Sequence, residues 1–121
     1  MPTPATSIGR VLVFGASGYV GTHLVPRLQA AGVPVRAAAR SRRVLEARGW
    51  PGVEIAEADA LVPASLPGAL QDVDTAYYLV HSMAAGRDFG RLDLEAARNF
   101  AAATAAAGVR RIVYLGGLVP A

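Results

Sequence analysis

The hydrophobic residues of this chain fall into five short apolar runs, separated by stretches with helical spacing. A short apolar run bounded by turn residues is typical of a strand covered on both faces, whereas apolar residues three and four apart indicate an amphipathic helix. The runs predict strands at residues 10–14, 33–39, 53–58, 75–80 and 111–115. The stretches between them predict helices at residues 19–31, 42–48, 68–71 and 88–107, with a loop at 59–67.

Strands therefore alternate with helices, and the connecting turns are short. This order is typical of a parallel sheet with right-handed crossovers and helices on both faces. We predict an α/β, Rossmann-like sheet of order 3-2-1-4-5, with a ligand crevice between the first and fourth strands. Glu54 and Glu57 alternate with apolar residues, so the third strand is expected near a sheet edge. The fold is expected to stop after strand five, leaving an unpaired edge that favours self-association.

The first strand runs into the segment Gly15-Ala16-Ser17-Gly18-Tyr19-Val20-Gly21, which opens the first helix. Gly15 permits a tight turn, Gly18 lets backbone amides approach a pyrophosphate, and Gly21 lets the helix pack closely. The free amides and the positive end of the helix dipole form an anion site. Three glycines also occur in plain structural turns. The strand before this turn, and the helix and strand after it, favour a dinucleotide site.

NAD-binding folds have an acidic residue at the end of the second strand, about 20 residues beyond the glycines. This chain has no acid there and has Arg40 at that place. Arg40, backed by Ser41, Arg42 and Arg43, suits a 2′-phosphate because of its charge and its bidentate geometry. NADP(H) is therefore the expected cofactor, with NAD(H) as the alternative. The simpler interpretation of these residues is a solvated helix start with basic side chains.

Two further strand ends are expected at the same crevice. Asp59 follows the third strand and is expected beside the adenine, although a cap of the next turn explains it equally well. Leu79, Val80 and His81 lie at the end of the fourth strand and are expected under the ribose and the nicotinamide-proximal half. His81 is then a ligand contact or a base, but a lone histidine there is more often a polar loop residue. Asn99 is expected to bond nearby backbone or to face solvent.

Composition narrows the classes of function. The 121 residues suffice for one domain, and the absence of cysteine excludes disulfides, thiolate metal sites and cysteine nucleophiles and fits a cytoplasmic protein. No metal-ligand spacing and no Ser/His/Asp arrangement is visible, so no metal site is predicted. The net charge of +3 is the excess of 12 arginines over 9 acidic residues, and the chain contains no lysine. No broad basic face with aromatic platforms accompanies them, so we predict no nucleic-acid partner.

The first residues of the chain and the length of its apolar runs argue against a membrane protein. No apolar run approaches the ~20 residues that a membrane helix needs, so we predict no membrane partner. Residues 1–9 carry prolines, threonines and a serine, and they do not have the charge and apolar pattern of a signal peptide. We expect these residues to be a disordered lead-in to the domain.

These residues together resemble the short-chain dehydrogenase/reductase superfamily, in its atypical NmrA-like branch of NAD(P)-binding proteins. The chain is similar in particular to bacterial nucleoside-diphosphate-sugar epimerases and NAD(P)H-binding proteins, over nearly its whole length after Gly9. The resemblance implies that Arg40 contacts the 2′-phosphate and Asp59 the adenine. The segments that carry it are residues 11–21, Arg40, Asp59, residues 78–82 and residues 107–118. The residues that would line the pyrophosphate are Gly15, Ser17, Gly18, Tyr19 and Val20.

The chain departs from the catalytic members of that superfamily. They use a serine or threonine after strand five and a Tyr-x-x-x-Lys pair beyond it, whereas this chain has Gly116-Gly117 and no lysine. No catalytic residue is therefore assigned, and residues 10–121 are expected to be the cofactor half of an oxidoreductase or epimerase-like protein, without its substrate region. The alternative is a non-catalytic NAD(P) sensor that reports redox state to a partner. A third interpretation, an inert fragment, predicts no dinucleotide binding.

Overall fold

The structure, a computed structural model, describes residues 9–80 and 89–115. Within these residues, strands β1–β5 span Arg10–Phe14, Val35–Ala39, Glu54–Glu57, Val73–Tyr78 and Arg111–Tyr114. Helices α1–α4 span Tyr19–Ala30, Arg42–Ala47, Leu66–Leu70 and Phe89–Ala107, and a 3-10 turn at Pro63–Ser65 leads into α3. Of the helices in this part of the chain, none combines the length and the apolar character needed to cross a membrane.

All five strands are parallel and form one sheet in the order β3-β2-β1-β4-β5, which confirms the predicted order. Strand β1 pairs with β2 on one side and with β4 on the other, so the strand order reverses there. Helices cover both faces, as predicted. Leu12 and Phe14 pack with residues of α3 and α4 on one face, while Val13 packs with residues of α1 and α2 on the other.

Strand β2 begins two residues later than predicted. The amide of Val33 donates to Leu28 O at 3.1 Å and so belongs to the end of α1, while Pro34 has no amide hydrogen to give to a neighbouring strand. Helix α1 itself continues through Pro26 and ends at Ala30. Strand β3 lies at the sheet edge with Glu54 and Glu57 exposed, as the alternation predicted.

The segment between β3 and β4 contains more helix than predicted. The prediction of a loop at residues 59–67 was wrong over its second half. A 3-10 turn occupies Pro63–Ser65, and Pro67 lies in the first turn of α3. Proline suits that position, since the first-turn amides of a helix have no intrahelical acceptor. Strand β4 starts at Val73, directly after the positive-φ residue Asp72, and ends at Tyr78. Leu79 and Val80 therefore follow the strand instead of ending it.

Arg36 is a buried cation that the apolar pattern of β2 did not predict. Its Nη1 donates to Ala69 O and to Gln71 O, both at 2.8 Å, and its Nη2 lies 3.6 Å from Glu54 Oε1. The two carbonyls belong to the end of α3, where a helix has backbone acceptors without intrahelical partners. Arg36 thus ties the end of α3 to strand β2.

An aromatic cluster fills the core beside the ends of β1, β4 and β5. The ring centroid of Phe100 lies 4.8 Å from that of Phe14 and 4.7 Å from that of Tyr78, and Tyr114 stacks on Tyr78 at 5.3 Å. Burial raises the pKa of the Tyr78 hydroxyl to about 12, with smaller contributions from Tyr114 and from the Asp93 carboxylate. Tyr78 is therefore a neutral core residue.

This pKa predicts a loss of stability in alkali. Folded Tyr78 keeps its proton until about pH 12, whereas the unfolded residue ionises near 10.0, so the unfolded state binds fewer protons in between. The free energy of unfolding should therefore fall as the pH rises from 10.0 towards about 12. Urea denaturation across this interval measures the slope. Tyr78→Phe should flatten it, and an unchanged slope in that variant would contradict the assignment.

Candidate functional site

A cleft of about 880 Å³ opens at the carboxyl ends of β1, β2, β3 and β4. Every predicted binding residue within the described part of the chain lines it, and His81 lies outside the described residues. Those lining residues are Gly15, Ser17, Gly18, Tyr19, Val20, Gly21, Arg40, Asp59, Leu79 and Val80. The reversal of strand order beside β1 thus brings four separate chain segments to one cavity.

The turn after β1 is held against the end of β2. Gly15 has a φ of +93°, and its amide donates to Ala38 O at 2.8 Å, while the amide of Ala16 donates to the same oxygen at 3.1 Å. A Cβ on Gly15 would lie 3.1 Å from the carbonyl carbon of Leu79, in a backbone conformation that side chains rarely adopt. Glycine is therefore required here for the reason predicted, a tight turn.

Gly21 and Gly18 differ in what surrounds them. A Cβ on Gly21 would lie 2.5 Å from the Cα of Ala16, so α1 touches the backbone of the turn itself. A Cβ on Gly18 would meet Gly15 O at 3.6 Å, an ordinary contact. The fold therefore needs glycine at Gly21, whereas at Gly18 the absence of a side chain keeps the surface of the turn open to the cleft.

The start of α1 offers unpaired backbone donors. Gly18 is the N-cap residue, no side chain caps the helix, and the first turn contains no acid. Amides in the first turn of a helix lack intrahelical acceptors, and the helix dipole adds positive potential. The Thr22 hydroxyl donates to Gly18 O at 2.7 Å and therefore does not accept a hydrogen bond from those amides in this arrangement. This geometry can bind an anion such as a phosphate group.

The four arginines that follow β2 have different surroundings; they are Arg40, Arg42, Arg43 and Arg48. Only Arg40 among them lines the cleft. Arg42 donates to Ile55 O at 2.9 Å and lies 3.7 Å from Glu46 Oε2, so it is engaged in local structure. Arg48 donates through Nη2 to Ser17 O at 3.0 Å, a bond to the glycine turn that the sequence did not suggest.

The remaining members of the group that backs Arg40 do not line the cleft. Ser41 caps α2, because its Oγ accepts the amide of Val44 at 3.4 Å. Arg43 is exposed on the same helix. Arg40 is therefore the one basic residue of this stretch that lines the cavity.

Asp59 both caps a turn and lines the cleft. Its Oδ1 accepts the amide of Leu61 at 2.9 Å, which is the capping role left open by the sequence. The Ser65 hydroxyl accepts the amide of Asp59 at 2.9 Å and lies 2.7 Å from Val62 O. The segment at residues 59–65, part of which lines the cavity, is therefore stabilised by hydrogen bonds from its own side chains.

Helix α4 supplies a further wall that the site prediction missed. Leu92, Asp93 and Ala96 line the cleft, and Asn99 donates through Nδ2 to Ala60 O at 2.7 Å. Leu92 and Ala96 are four residues apart, the apolar spacing by which the long helix was predicted, so this spacing contained a signal for their inward face. Asn99 bonds to backbone, but its acceptor lies on a distant segment, so neither the bond to nearby backbone nor the solvent-facing side chain expected for it is found.

Comparison with known proteins identifies the class. A family model described as NAD(P)H-binding matches residues 15–119, most of the sequence, so the chain belongs to the NAD(P)H-binding family. A search of curated proteins finds no match. Among solved structures, triphenylmethane reductase of Citrobacter sp., complexed with NADP(H), has 28% identity and a TM-score of 0.73; the match covers 87% of this chain and 36% of that protein.

Two more solved structures carry the same fold. The NADPH-dependent quinone oxidoreductase QOR2 of Escherichia coli, complexed with NADPH, has 28% identity and a TM-score of 0.71; the match covers 86% of this chain and 35% of that protein. A short-chain dehydrogenase/reductase superfamily protein of Agrobacterium tumefaciens, with bound NAD, has 28% identity and a TM-score of 0.72, with coverages of 87% and 31%. The chain thus spans about a third of the length of these proteins. The predicted relationship to that superfamily is confirmed, while the NmrA-like branch stays a prediction.

The contrast between the two glycines predicts effects on stability that differ in size. Gly21→Ala should lower the free energy of unfolding by about 1–3 kcal/mol, because its methyl group overlaps the backbone of Ala16. Gly18→Ala should change it by less than about 1 kcal/mol, as an alanine at an N-cap does. Urea denaturation followed by circular dichroism measures both. Equal losses of stability in the two variants would contradict the close packing of α1 against Ala16.

Proposed function

We propose that this chain binds NADP(H) as the cofactor-binding part of an oxidoreductase or epimerase-like protein. The observation that carries the proposal is the cleft, because an uncapped helix start and Arg40 line the same cavity. Membership of the NAD(P)H-binding family supports the dinucleotide, and the two similar proteins solved with NADP(H) or NADPH support the phosphorylated form.

The residues of the glycine turn would hold the pyrophosphate. Gly18 exposes its backbone, and the amides of Tyr19 and Val20 belong to the first turn of α1, so a bridging diphosphate can accept hydrogen bonds from them. Gly15 and Gly21 would act indirectly by setting the turn and its distance from the helix. Leu79 and Val80, which directly follow β4, would lie toward the nicotinamide side, together with His81.

Arg40 would select the 2′-phosphate. Strand β2 carries no acid at its end for a ribose 2′-hydroxyl, and a guanidinium there complements a phosphate dianion in charge and shape. Arg40 forms no salt bridge with any of the residues that the structure describes. Glu57 and Asp59 share an adjoining hollow of about 440 Å³ with it and reduce the local positive potential. Asp59 would face the adenine with the carboxylate oxygen that its own turn does not use.

In the reaction, this chain would bind the nicotinamide cofactor and orient it. A nicotinamide cofactor supplies hydride transfer, and a protein supplies the geometry in which it occurs. This chain contains no lysine and therefore no Tyr-x-x-x-Lys pair. No catalytic residue is therefore assigned within this chain.

Titration with NADPH and NADH, followed by cofactor fluorescence, tests the proposal. The wild-type chain should bind NADPH more tightly, with an affinity that falls as salt rises, because phosphate–arginine attraction is screened. Arg40→Asp should reverse the preference, while Arg43→Asp, which makes the same charge change outside the cleft, should not. Gly18→Val should weaken both cofactors. Absence of binding to either cofactor, or an unaltered preference in Arg40→Asp, would refute the respective assignment.

The second candidate is a non-catalytic dinucleotide sensor, and the lack of any lysine in the chain is the observation that favours it. Such a sensor binds NADP(H) through the same cleft but does not oxidise it. Cofactor turnover by a full-length version of the protein, measured with NADPH and a quinone acceptor, separates the two functions. Consumption of NADPH supports the oxidoreductase, and binding without consumption supports the sensor.

We also propose that two copies associate through β5. This strand is the outer strand of the sheet in the described residues, and Ile112 and Tyr114 remain 42% and 59% exposed. A twofold axis normal to the sheet would make two β5 strands antiparallel, with Val113 opposite its symmetry mate and Ile112 opposite Tyr114. A β-branched residue facing an aromatic is a favourable cross-strand pair.

This association predicts a dimer that a single charge disrupts. Val113→Glu would place like charges opposite each other across the twofold axis, so the variant should be monomeric by light scattering. Leu94→Glu adds the same charge on an exposed part of α4 and should leave the dimer intact. A monomeric wild-type chain would rule the association out.

A further inference from the structure

The cleft wall beyond β3 is formed by residues 59–61, and its backbone is fixed at one end. The amide of Ala58 donates to Ala39 O at 2.9 Å, which ties the start of the segment to β2. The following bonds are internal: the amide of Leu61 donates to Asp59 Oδ1, and that of Val62 donates to Asp59 O, both at 2.9 Å. These internal bonds set the shape of the segment but not its position relative to the opposite wall.

Helix α4 supplies the second attachment of this segment. Asn99 Nδ2 donates to Ala60 O at 2.7 Å, across 39 residues of sequence. Ala60 is 3% exposed, so its carbonyl has little access to water and would lose its hydrogen bond without Asn99. Asn99 lies three residues beyond Ala96, which lines the cleft, so the same helix forms one wall and anchors another.

We propose that Asn99 is the positioning residue for the adenosine half of the bound dinucleotide. The inference rests on the proposed function. In folds of this type the pyrophosphate lies at the start of the first helix and the adenosine ribose at the end of the second strand. The adenosine half therefore extends past Arg40 toward the segment at 59–61. Asn99 does not line the cleft. It acts through Ala60, by holding that segment at a fixed distance from α4.

Binding of 2′,5′-ADP, the adenosine half alone, tests this role by calorimetry. Asn99→Leu should weaken it roughly tenfold, the effect of losing about one hydrogen bond. Thr104→Val is the matched control, because Thr104 is also a polar α4 side chain bonded to backbone, to Ala101 O at 2.8 Å, but away from the cleft. Its affinity should stay within about twofold of the wild type.

Amide hydrogen exchange gives a second measurement that a general loss of stability would not reproduce. In Asn99→Leu the amides of Leu61 and Val62 should exchange faster relative to those of β1, because the segment loses its attachment to α4. In Thr104→Val their exchange relative to β1 should not change. Should Asn99→Leu fail to fold, Asn99→Ser, whose side chain is too short to reach Ala60, takes its place in both measurements.

The outcomes separate the two proposals. A wild-type chain that binds neither NADPH nor 2′,5′-ADP refutes the proposed function and this inference with it. A wild-type chain that binds both, with an Asn99 variant that binds 2′,5′-ADP equally well, overturns the role of Asn99 alone. Equal weakening in Thr104→Val would also overturn it, since the effect would then reflect the helix in general.

Discussion

The close approach of α1 to the glycine turn is the constraint on which the cleft depends. A Cβ at Gly21 would lie 2.5 Å from Ala16, so the helix can start directly above the end of β1 only because that Cβ is missing. This start aims the first-turn amides of α1 over the carboxyl ends of the strands. A helix held farther away would leave the turn without its donors, and the same residues would form a plain loop.

The rest of the cavity follows from the sheet. Parallel strands end at one edge, and the reversal beside β1 leaves a crevice between the loops on its two sides. Arg40, Asp59 and Leu79 belong to three loops far apart in the sequence, and the pairing of four strands brings them together. Packing sets the positions of these loops, whereas the chemistry of a few side chains sets what they can bind.

The sequence was informative where short-range pattern controls the structure. The alternation of strands with helices predicted the sheet order, and Gly15, Arg40 and Asp59 could be assigned to one cavity from their places at strand ends. It failed at caps and at distant contacts. The amide of Val33 closes a helix, and Pro67 opens one. Arg48 and Asn99 contact residues 31 and 39 positions away, at spacings for which no local periodicity exists.

Strand β1 has a consequence for local unfolding. It is paired on both sides, and the residues from Val11 to Phe14 are buried, so opening it requires the whole sheet to open. The glycine turn continues directly from this strand and is bonded to Ala38 of its neighbour. The anion-binding end of the cavity therefore belongs to the last cooperative unit to unfold. The wall at 59–61 joins the outer strand, so thermal fluctuations should open the cavity from that side.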